Sequence, residues 1–122
     1  MKHFVGCRQE SLHCVVTIQE EGQEPRPLPH IVRHSPRGFE WSYGGSGPAD
    51  LALSLLTEVA GREVADRWYQ MFKHDVISQL PPPGWRIAAA DIEAWLPAAR
   101  AGLHDRSVRA AQVHVLPLEP AQ

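Results

Sequence analysis

A glycine-rich segment, residues 43–50 (YGGSGPAD), has the residue types of a small anion site. It is predicted to join a strand to the start of a helix, where unpaired backbone N–H groups and the helix dipole can hold an anion. The segment lacks the lysine and Ser/Thr of a P-loop and the G-x-G-x-x-G spacing of dinucleotide sites. Asp50 would also compete with an incoming anion for the positive end of the helix. The candidate ligand-binding residues are Glu40, Tyr43, Gly44, Gly45, Ser46 and Gly47.

The same glycines have a structural interpretation, because they permit close packing of the preceding aromatic residues against the helix. The two roles are compatible, and both stay open at this point.

Metal-ligand residue types occur near the N-terminus, in the pattern H-x3-C-x5-H-C formed by His3, Cys7, His13 and Cys14. Neighbouring positions on a strand point to opposite faces, and the pattern lacks the paired short spacings of a zinc site. We therefore expect no metal site, and no motif indicates a cofactor.

Catalytic patterns are weak. His74 and Asp75 are adjacent, but neighbouring helical positions point about 100° apart, which favours a solvated helix face. Glu40 is an isolated carboxylate, whereas acid–base catalysis needs a positioned partner with a displaced pKa. We assign no catalytic residue and expect a non-enzymatic protein, with an enzyme that uses Glu40 or His74 as an alternative.

Length and charge limit the class of protein. The chain has 122 residues and a formal net charge of −2, with 12 Lys plus Arg and 14 Asp plus Glu. One domain is expected, and nucleic acid is not the expected primary partner, because binding to phosphates needs a strongly positive surface. No apolar run approaches the roughly 18 residues of a membrane span, so no membrane association is expected. Two cysteines and an opening without a signal-like apolar stretch predict a cytoplasmic location.

Hydrophobic periodicity predicts an α+β fold: a small antiparallel sheet packed against a buried central helix and two further helices. A turn centred on Glu10 and Ser11 would place Cys7 opposite Cys14, either as a reduced pair or as a disulfide. Glu63 lies four residues before Arg67, the spacing of a stabilising ion pair. The predicted strands are 3–8 and 13–19, which form an N-terminal hairpin, and 39–43. Short strands are also considered at 30–33, as an edge strand, and at 85–87, as a strand or an extended segment. The predicted helices are 49–60, 62–80 and a short one that includes 92–96.

The predicted core is complete before Pro97, because all nine aromatic residues precede it. The predicted domain is therefore 1–96, with a C-terminal extension at 97–122 that is partly disordered or forms one short helix near 103–112. Three arginines of this extension are candidate partner-binding residues: Arg100, Arg106 and Arg109.

The stretch FEWSYGGSGPADLALSLL, with WYQMFKHDVI, GW-x-I and I-x-x-WL after it, resembles the hallmark of a small bacterial domain family of unknown function that also occurs on phages and plasmids. The resemblance carries no activity, cofactor or catalytic residue. Carriage on mobile elements suggests a role in defence or counter-defence.

The expected function is therefore that of a binding or interaction protein that acts through a surface on an unidentified protein partner. One version is a defence or counter-defence factor that binds a protein complex, such as an anti-CRISPR-like inhibitor. The alternative is a module that binds a small anion or a nucleotide at the glycine-rich segment.

Overall fold

An antiparallel sheet with helices packed on it forms the framework of the protein. The computed structural model describes residues 1–11, 13–102 and 105–119. Within these residues there are five strands, in the order β3-β2-β1-β4-β5, and four α-helices, so the predicted α+β class is confirmed. In chain order the elements are β1 Lys2–Arg8, β2 Cys14–Glu20, β3 Arg26–Pro27, α1 Ser46–Ala60, α2 Arg62–Asp75, a 3-10 turn Ile77–Gln79, β4 Gly84–Ala88, α3 Ala89–Arg100, α4 Arg106–Ala110 and β5 Leu116–Pro117.

The N-terminal hairpin is confirmed, but its register differs by one residue from the prediction. Cys7 pairs with Val15, and Arg8 pairs with Cys14. The connection is five residues long, and the Gln9 N–H donates to the carbonyl of His13 at 2.9 Å. The odd loop length shifts the pairing by one position, so the two cysteines point to opposite faces of the sheet. Both are free thiols, and the predicted contact between them is wrong.

The predicted strand at 39–43 is also wrong. Ser42 has a φ of 79°, in the left-handed region that side chains other than glycine rarely adopt. This residue breaks the alternation of the aromatic side chains: Trp41 is 1% exposed, whereas Tyr43 is 52% exposed. The segment therefore runs as a loop that buries one aromatic ring in the core and presents the other to solvent.

The edge strand predicted at 30–33 is likewise not a strand. The edge position next to β2 belongs to β3, and the N–H of Leu28 extends the pairing by donating to Val16 at 3.0 Å. Residues 30–35 instead lie against α1, where Asp50 and Ser54 accept their backbone N–H groups.

The central helix α1 is buried as predicted, and it begins at Ser46, three residues earlier than expected. Pro48 lies in the first turn, where its missing N–H costs nothing. Leucines on several sides of this helix are completely buried, and α2, α3 and the 3-10 turn pack against it: Leu51, Leu53, Leu55 and Leu56. Helix α2 ends at Asp75 rather than near residue 80, and the prolines at 81–83 follow the 3-10 turn.

The C-terminal region is attached to the domain. Helix α3 continues to Arg100, past the boundary predicted at residue 96, and β5 pairs with β4. Helix α4 is the short helix expected in this region, and Val113 behind it is 7% exposed. The disorder predicted after residue 112 covers residues 113–119, which are described and include β5, and residues 120–122, which lie outside the described residues. No helix in the described ranges combines the length and the apolar character needed to cross a bilayer.

Candidate functional site

The glycine-rich segment borders a cleft of about 280 Å³ between the start of β2, the loop before α1 and the first turn of α1. Three of the six candidate ligand residues line this cleft, namely Glu40, Tyr43 and Gly47. Gly44, Gly45 and Ser46 do not, and a Cβ at Gly45 would lie 2.3 Å from the Tyr43 ring. The full lining is His13, Cys14, Ser35, Arg37, Gly38, Phe39, Glu40, Tyr43 and Gly47.

Glu40 is already engaged by an arginine. Two nitrogens of the Arg8 guanidinium donate to its carboxylate at 2.8 and 3.1 Å, and the same guanidinium lies 5.2 Å from the centre of the Trp41 ring. The hydrogen bond from Arg8 is the main cause that lowers the pKa of Glu40. At neutral pH Glu40 is therefore ionised and paired, which stabilises the wall of the cleft.

Cys14, a residue of a nucleophilic type, interacts with this carboxylate. Burial, followed by the charge of Glu40, raises the pKa of the Cys14 thiol to about 11. The thiol therefore keeps its proton at neutral pH, whereas nucleophilic cysteines are thiolates.

The start of α1 is partly covered. Gly47 lies directly against Glu40, because a Cβ at position 47 would come within 2.6 Å of the Cβ of Glu40. Pro48 contributes no N–H group. Arg37 and His13 are exposed side chains on the cleft, and neither has a hydrogen-bond or ion-pair partner among the described residues. The positive charge available in this cleft therefore comes from Arg37 as well as from the helix end.

Asp50 does not face the cleft as a competing charge. It is completely buried, and its carboxylate accepts hydrogen bonds from the loop before α1. Burial raises the pKa of Asp50, but hydrogen bonds from His30 and from the loop N–H groups outweigh this effect, and the pKa is lowered. Asp50 therefore fixes the loop that carries Ser35 and Arg37. The donors are His30 Nε2 at 2.9 Å and the backbone N–H groups of His34 at 2.9 Å, Ser35 at 3.0 Å and Arg33 at 3.3 Å.

The three candidate partner-binding arginines do not form one patch. Arg109 is 8% exposed, and its guanidinium donates to the carboxylate of Asp75 at 2.7 and 2.9 Å. Arg109 therefore stabilises the fold and is not accessible to a partner. Arg106 is half-buried, with Nη1 3.4 Å from His74 Nε2, and Arg100 is exposed.

Asp75 is buried, whereas the sequence predicts an exposed position. The prediction of a solvated face holds for His74 but is wrong for Asp75, which is 1% exposed. Besides the two bonds from Arg109, it accepts the Trp95 indole N–H at 3.0 Å. Its donors lie 20 and 34 residues away in the chain, so no local pattern indicates its role.

A second cleft, of about 370 Å³, lies between α2 and α3 and contains Arg100. We call it the α2–α3 groove; it is lined by Glu63, Val64, Arg67, Trp68 and Arg100. Trp68 and Val64 are half-buried and pack against the core with their inner sides. Arg67 and Arg100 are exposed, and neither has an acceptor in the described part of the chain. The expected Glu63–Arg67 ion pair is not formed there either, so the groove has an aromatic wall flanked by two arginines without an ion-pair partner among the described residues, and Glu63 contributes one negative charge.

Comparison with known proteins gives one match. A family model described as "Family of unknown function (DUF6166)" matches residues 4–98. No curated protein matches the chain, and no solved structure does. The matched range includes the glycine-rich segment, β4 and most of α3, and it ends before α4 and β5.

Proposed function

Because the chain belongs to DUF6166, a family of unknown function, we propose a function from its own geometry: it is a non-enzymatic interaction protein that binds an acidic segment of a partner protein in the α2–α3 groove. The observation that carries this proposal is the position of Trp68, half-buried between two arginines that have no acid partner among the described residues.

The composition of the groove supports a protein partner. Tryptophan and arginine are enriched among the residues that contribute most binding energy at protein interfaces. The exposed part of the Trp68 ring, continued by Val64, offers an apolar surface for a side chain of the partner. A volume of about 370 Å³ is sufficient for one or two side chains but not for a folded domain.

The charge of the groove supports an acidic partner. Arg67 and Arg100 contribute two positive charges, and Glu63 contributes one negative charge. Complementary charges accelerate encounter and set orientation. The partner segment should therefore place its carboxylates on either side of an apolar residue that contacts Trp68.

In the cleft beside the glycine-rich segment, the state of Cys14 and Glu40 supports binding rather than catalysis. The Cys14 thiol keeps its proton because its pKa is raised to about 11, and Glu40 is held by Arg8. Neither group is free to act as a nucleophile or a base at neutral pH.

We expect an acidic peptide, in which glutamates flank a leucine, to protect Trp68 from iodide quenching. The other three tryptophans are at most 1% exposed, so iodide reports on Trp68. In the Trp68→Ala variant, the affinity for the labelled peptide should fall about thirtyfold, which corresponds to the loss of an interface residue worth about 2 kcal/mol. Fluorescence anisotropy measures this affinity, and iodide quenching of the unlabelled complex locates the site.

Arg106→Ala is the matched control, because Arg106 lies outside the groove and its loss should leave the affinity unchanged. A glutamine version of the peptide should bind more weakly. Equal binding of both peptides, or undiminished binding by Trp68→Ala, would contradict the proposal.

A second candidate function is favoured by Arg37 and His13, two exposed side chains on the cleft beside the glycine-rich segment that have no side-chain partner among the described residues. Here a small carboxylate or phosphate would bind. Inorganic phosphate, citrate or a nucleotide at 100 times its dissociation constant should stabilise the protein by about 2.7 kcal/mol, visible as a rise in Tm. The Arg37→Gln variant should lose this rise. If no anion changes the Tm, this candidate is eliminated.

The cellular setting that we propose is cytoplasmic, with a defence or counter-defence complex as the partner. The resemblance to a family carried on phages and plasmids supports it, and two free cysteines are compatible with a reducing compartment. A plasmid-interference assay tests it: wild-type protein should reduce interference, and Trp68→Ala should not. Unchanged interference with the wild-type protein would count against this setting.

A further inference from the structure

The charges of the α2–α3 groove are distributed unevenly along its length. Helix α2 contributes two pairs of residues to the lining: Glu63 with Val64 and, four positions later, Arg67 with Trp68. Four residues of an α-helix span about 6 Å, so the two pairs lie about one turn apart along the groove. One half of the groove therefore has an apolar side chain next to a carboxylate, and the other half has an aromatic ring next to a guanidinium.

Glu63 is exposed, and its carboxylate has no hydrogen-bond or ion-pair partner in the described part of the chain, although Arg67 follows four residues later. The nearby Asp66 differs, since it accepts from Arg62 at 3.1 Å and lies 2.8 Å from Arg33. Glu63 also lies in the first turn of α2, where a negative charge interacts favourably with the helix dipole. Any position of that turn would serve the dipole, whereas position 63 lies on the groove.

The half of the groove at Glu63 suits a cationic side chain. Val64 is half-buried and packs against the core, so its outer side is an apolar surface beside the free carboxylate. Lysine and arginine bury their aliphatic stems on such surfaces while the charged end stays in water. A partner cation can therefore contact Val64 with its stem and Glu63 with its charge.

We propose that Glu63 sets the direction in which the partner segment binds: the segment carries a lysine or an arginine on one side only of its acidic and apolar core, and this cation pairs with Glu63. This inference rests on the proposed function and adds the residue that gives the groove its polarity. An extended chain advances about 6.6 Å in two residues, close to the spacing of the two halves. When the apolar residue of the partner contacts Trp68, the cation is therefore two residues away along the chain, on the side of Val64.

Glu63 also discriminates against partners that the two arginines alone would accept. A uniformly acidic segment, or a nucleic-acid strand, that contacts Arg67 and Arg100 would bring a further negative charge against Glu63. Like charges placed together at an interface weaken binding. The groove is therefore suited to a segment of mixed charge rather than to a polyanion.

Three labelled peptides of equal length test this direction. Each contains a leucine between two glutamates; a lysine directly follows the second glutamate in the first peptide and directly precedes the first glutamate in the second peptide, and glutamine fills the remaining flanking positions and both positions of the third. Fluorescence anisotropy measures the affinities. We expect wild type to bind one lysine peptide about two- to fivefold more tightly than the other, since exposed ion pairs contribute on that order. The other lysine peptide should bind no more tightly than the third peptide.

Variants at position 63 assign this preference to one side chain. In Glu63→Gln the two lysine peptides should bind equally, and in Glu63→Lys their order should reverse. Glu63→Lys should also bind hexaglutamate more tightly than wild type. The two lysine peptides are compared within one variant, so a change in the stability of α2 cancels. Glu93→Gln is the matched control, because Glu93 is an exposed acidic residue of α3 that lines a different cleft, and it should leave the preference unchanged.

The outcomes separate this inference from the proposed function. Equal affinity of wild type for both lysine peptides, a preference that survives in Glu63→Gln, or no gain in hexaglutamate binding by Glu63→Lys would overturn the role of Glu63 and leave the proposed function intact. Failure of all three peptides to bind would contradict the proposed function, and this inference with it.

Discussion

Replacing Asp75 with alanine is expected to lower the free energy of unfolding by about 3–5 kcal/mol, because the substitution leaves the buried guanidinium of Arg109 without its carboxylate. Asp75 is 1% exposed, and Arg109 is 8% exposed. Three N–H groups, two from Arg109 and one from Trp95, would lose their acceptor at once. Urea unfolding followed by far-UV circular dichroism measures the change.

The double variant Asp75→Ala/Arg109→Met tests the cause of this effect. Removing both charges eliminates the uncompensated ion, so the double variant should be less destabilised than the sum of the two single variants. Strict additivity would show that the two side chains do not act as a pair. The cost should also include loosening of α4, which Arg109 fixes to α2 and α3.

Replacing Asp50 with alanine is expected to cost about 3 kcal/mol or more, since hydrogen bonds to a charged group are worth roughly 1.5–3 kcal/mol each and the variant loses several of them. Asp50 is completely buried and accepts from His30 and from three successive backbone N–H groups. Ser54→Ala is the matched control on the same helix, because Ser54 accepts one N–H, that of Ile31. Its cost should be about 1 kcal/mol. Equal costs for the two variants would contradict the role given to Asp50.

Asp50 also gives this contribution a pH dependence. The pKa of Asp50 is lowered in the folded protein, so the unfolded chain binds its proton first as the pH falls. The stabilisation is therefore complete above the ordinary aspartate value of about 3.9 and is lost as the pH falls through the lower, folded value. The difference in unfolding free energy between wild type and Asp50→Asn should shrink below about pH 4. A difference that is constant with pH would show that Asp50 does not titrate in this way.

Local patterns were sufficient to predict much of the fold. Apolar periodicity located the hairpin, the buried helix α1, the amphipathic helix α2 and the strand followed by a helix at 84–100. They failed where one residue changes the direction of the chain. The alternation of Phe39, Trp41 and Tyr43 is typical of a strand, but Ser42 adopts a left-handed conformation that no periodicity rule anticipates. The loop of the hairpin has one residue more than predicted, which places Cys7 and Cys14 on opposite faces of the sheet.

Long-range pairing explains the other differences. Arg109 and Asp75 are 34 residues apart in the chain, and only the packed structure shows that each neutralises the other. The same holds for Arg8 and Glu40, which are 32 residues apart and turn an apparently isolated carboxylate into an ion pair. The sequence does not indicate the α2–α3 groove, because an apolar residue such as Trp68 in a helix is typical of the core and the spacing of Glu63 and Arg67 is typical of an ion pair. Of the three arginines predicted to bind a partner, only Arg100 lines this groove.

A charge exchange in the α2–α3 groove tests the central claim most directly. The measurement is the ratio of the affinities for two labelled peptides, one with glutamates and one with lysines on either side of the same leucine. Wild type should prefer the glutamate peptide, and the variant Arg67→Glu/Arg100→Glu should prefer the lysine peptide, because Trp68 is retained while the flanking charges change sign. An unchanged order of preference in the variant would show that the groove does not select its partner by charge and would contradict the proposed function.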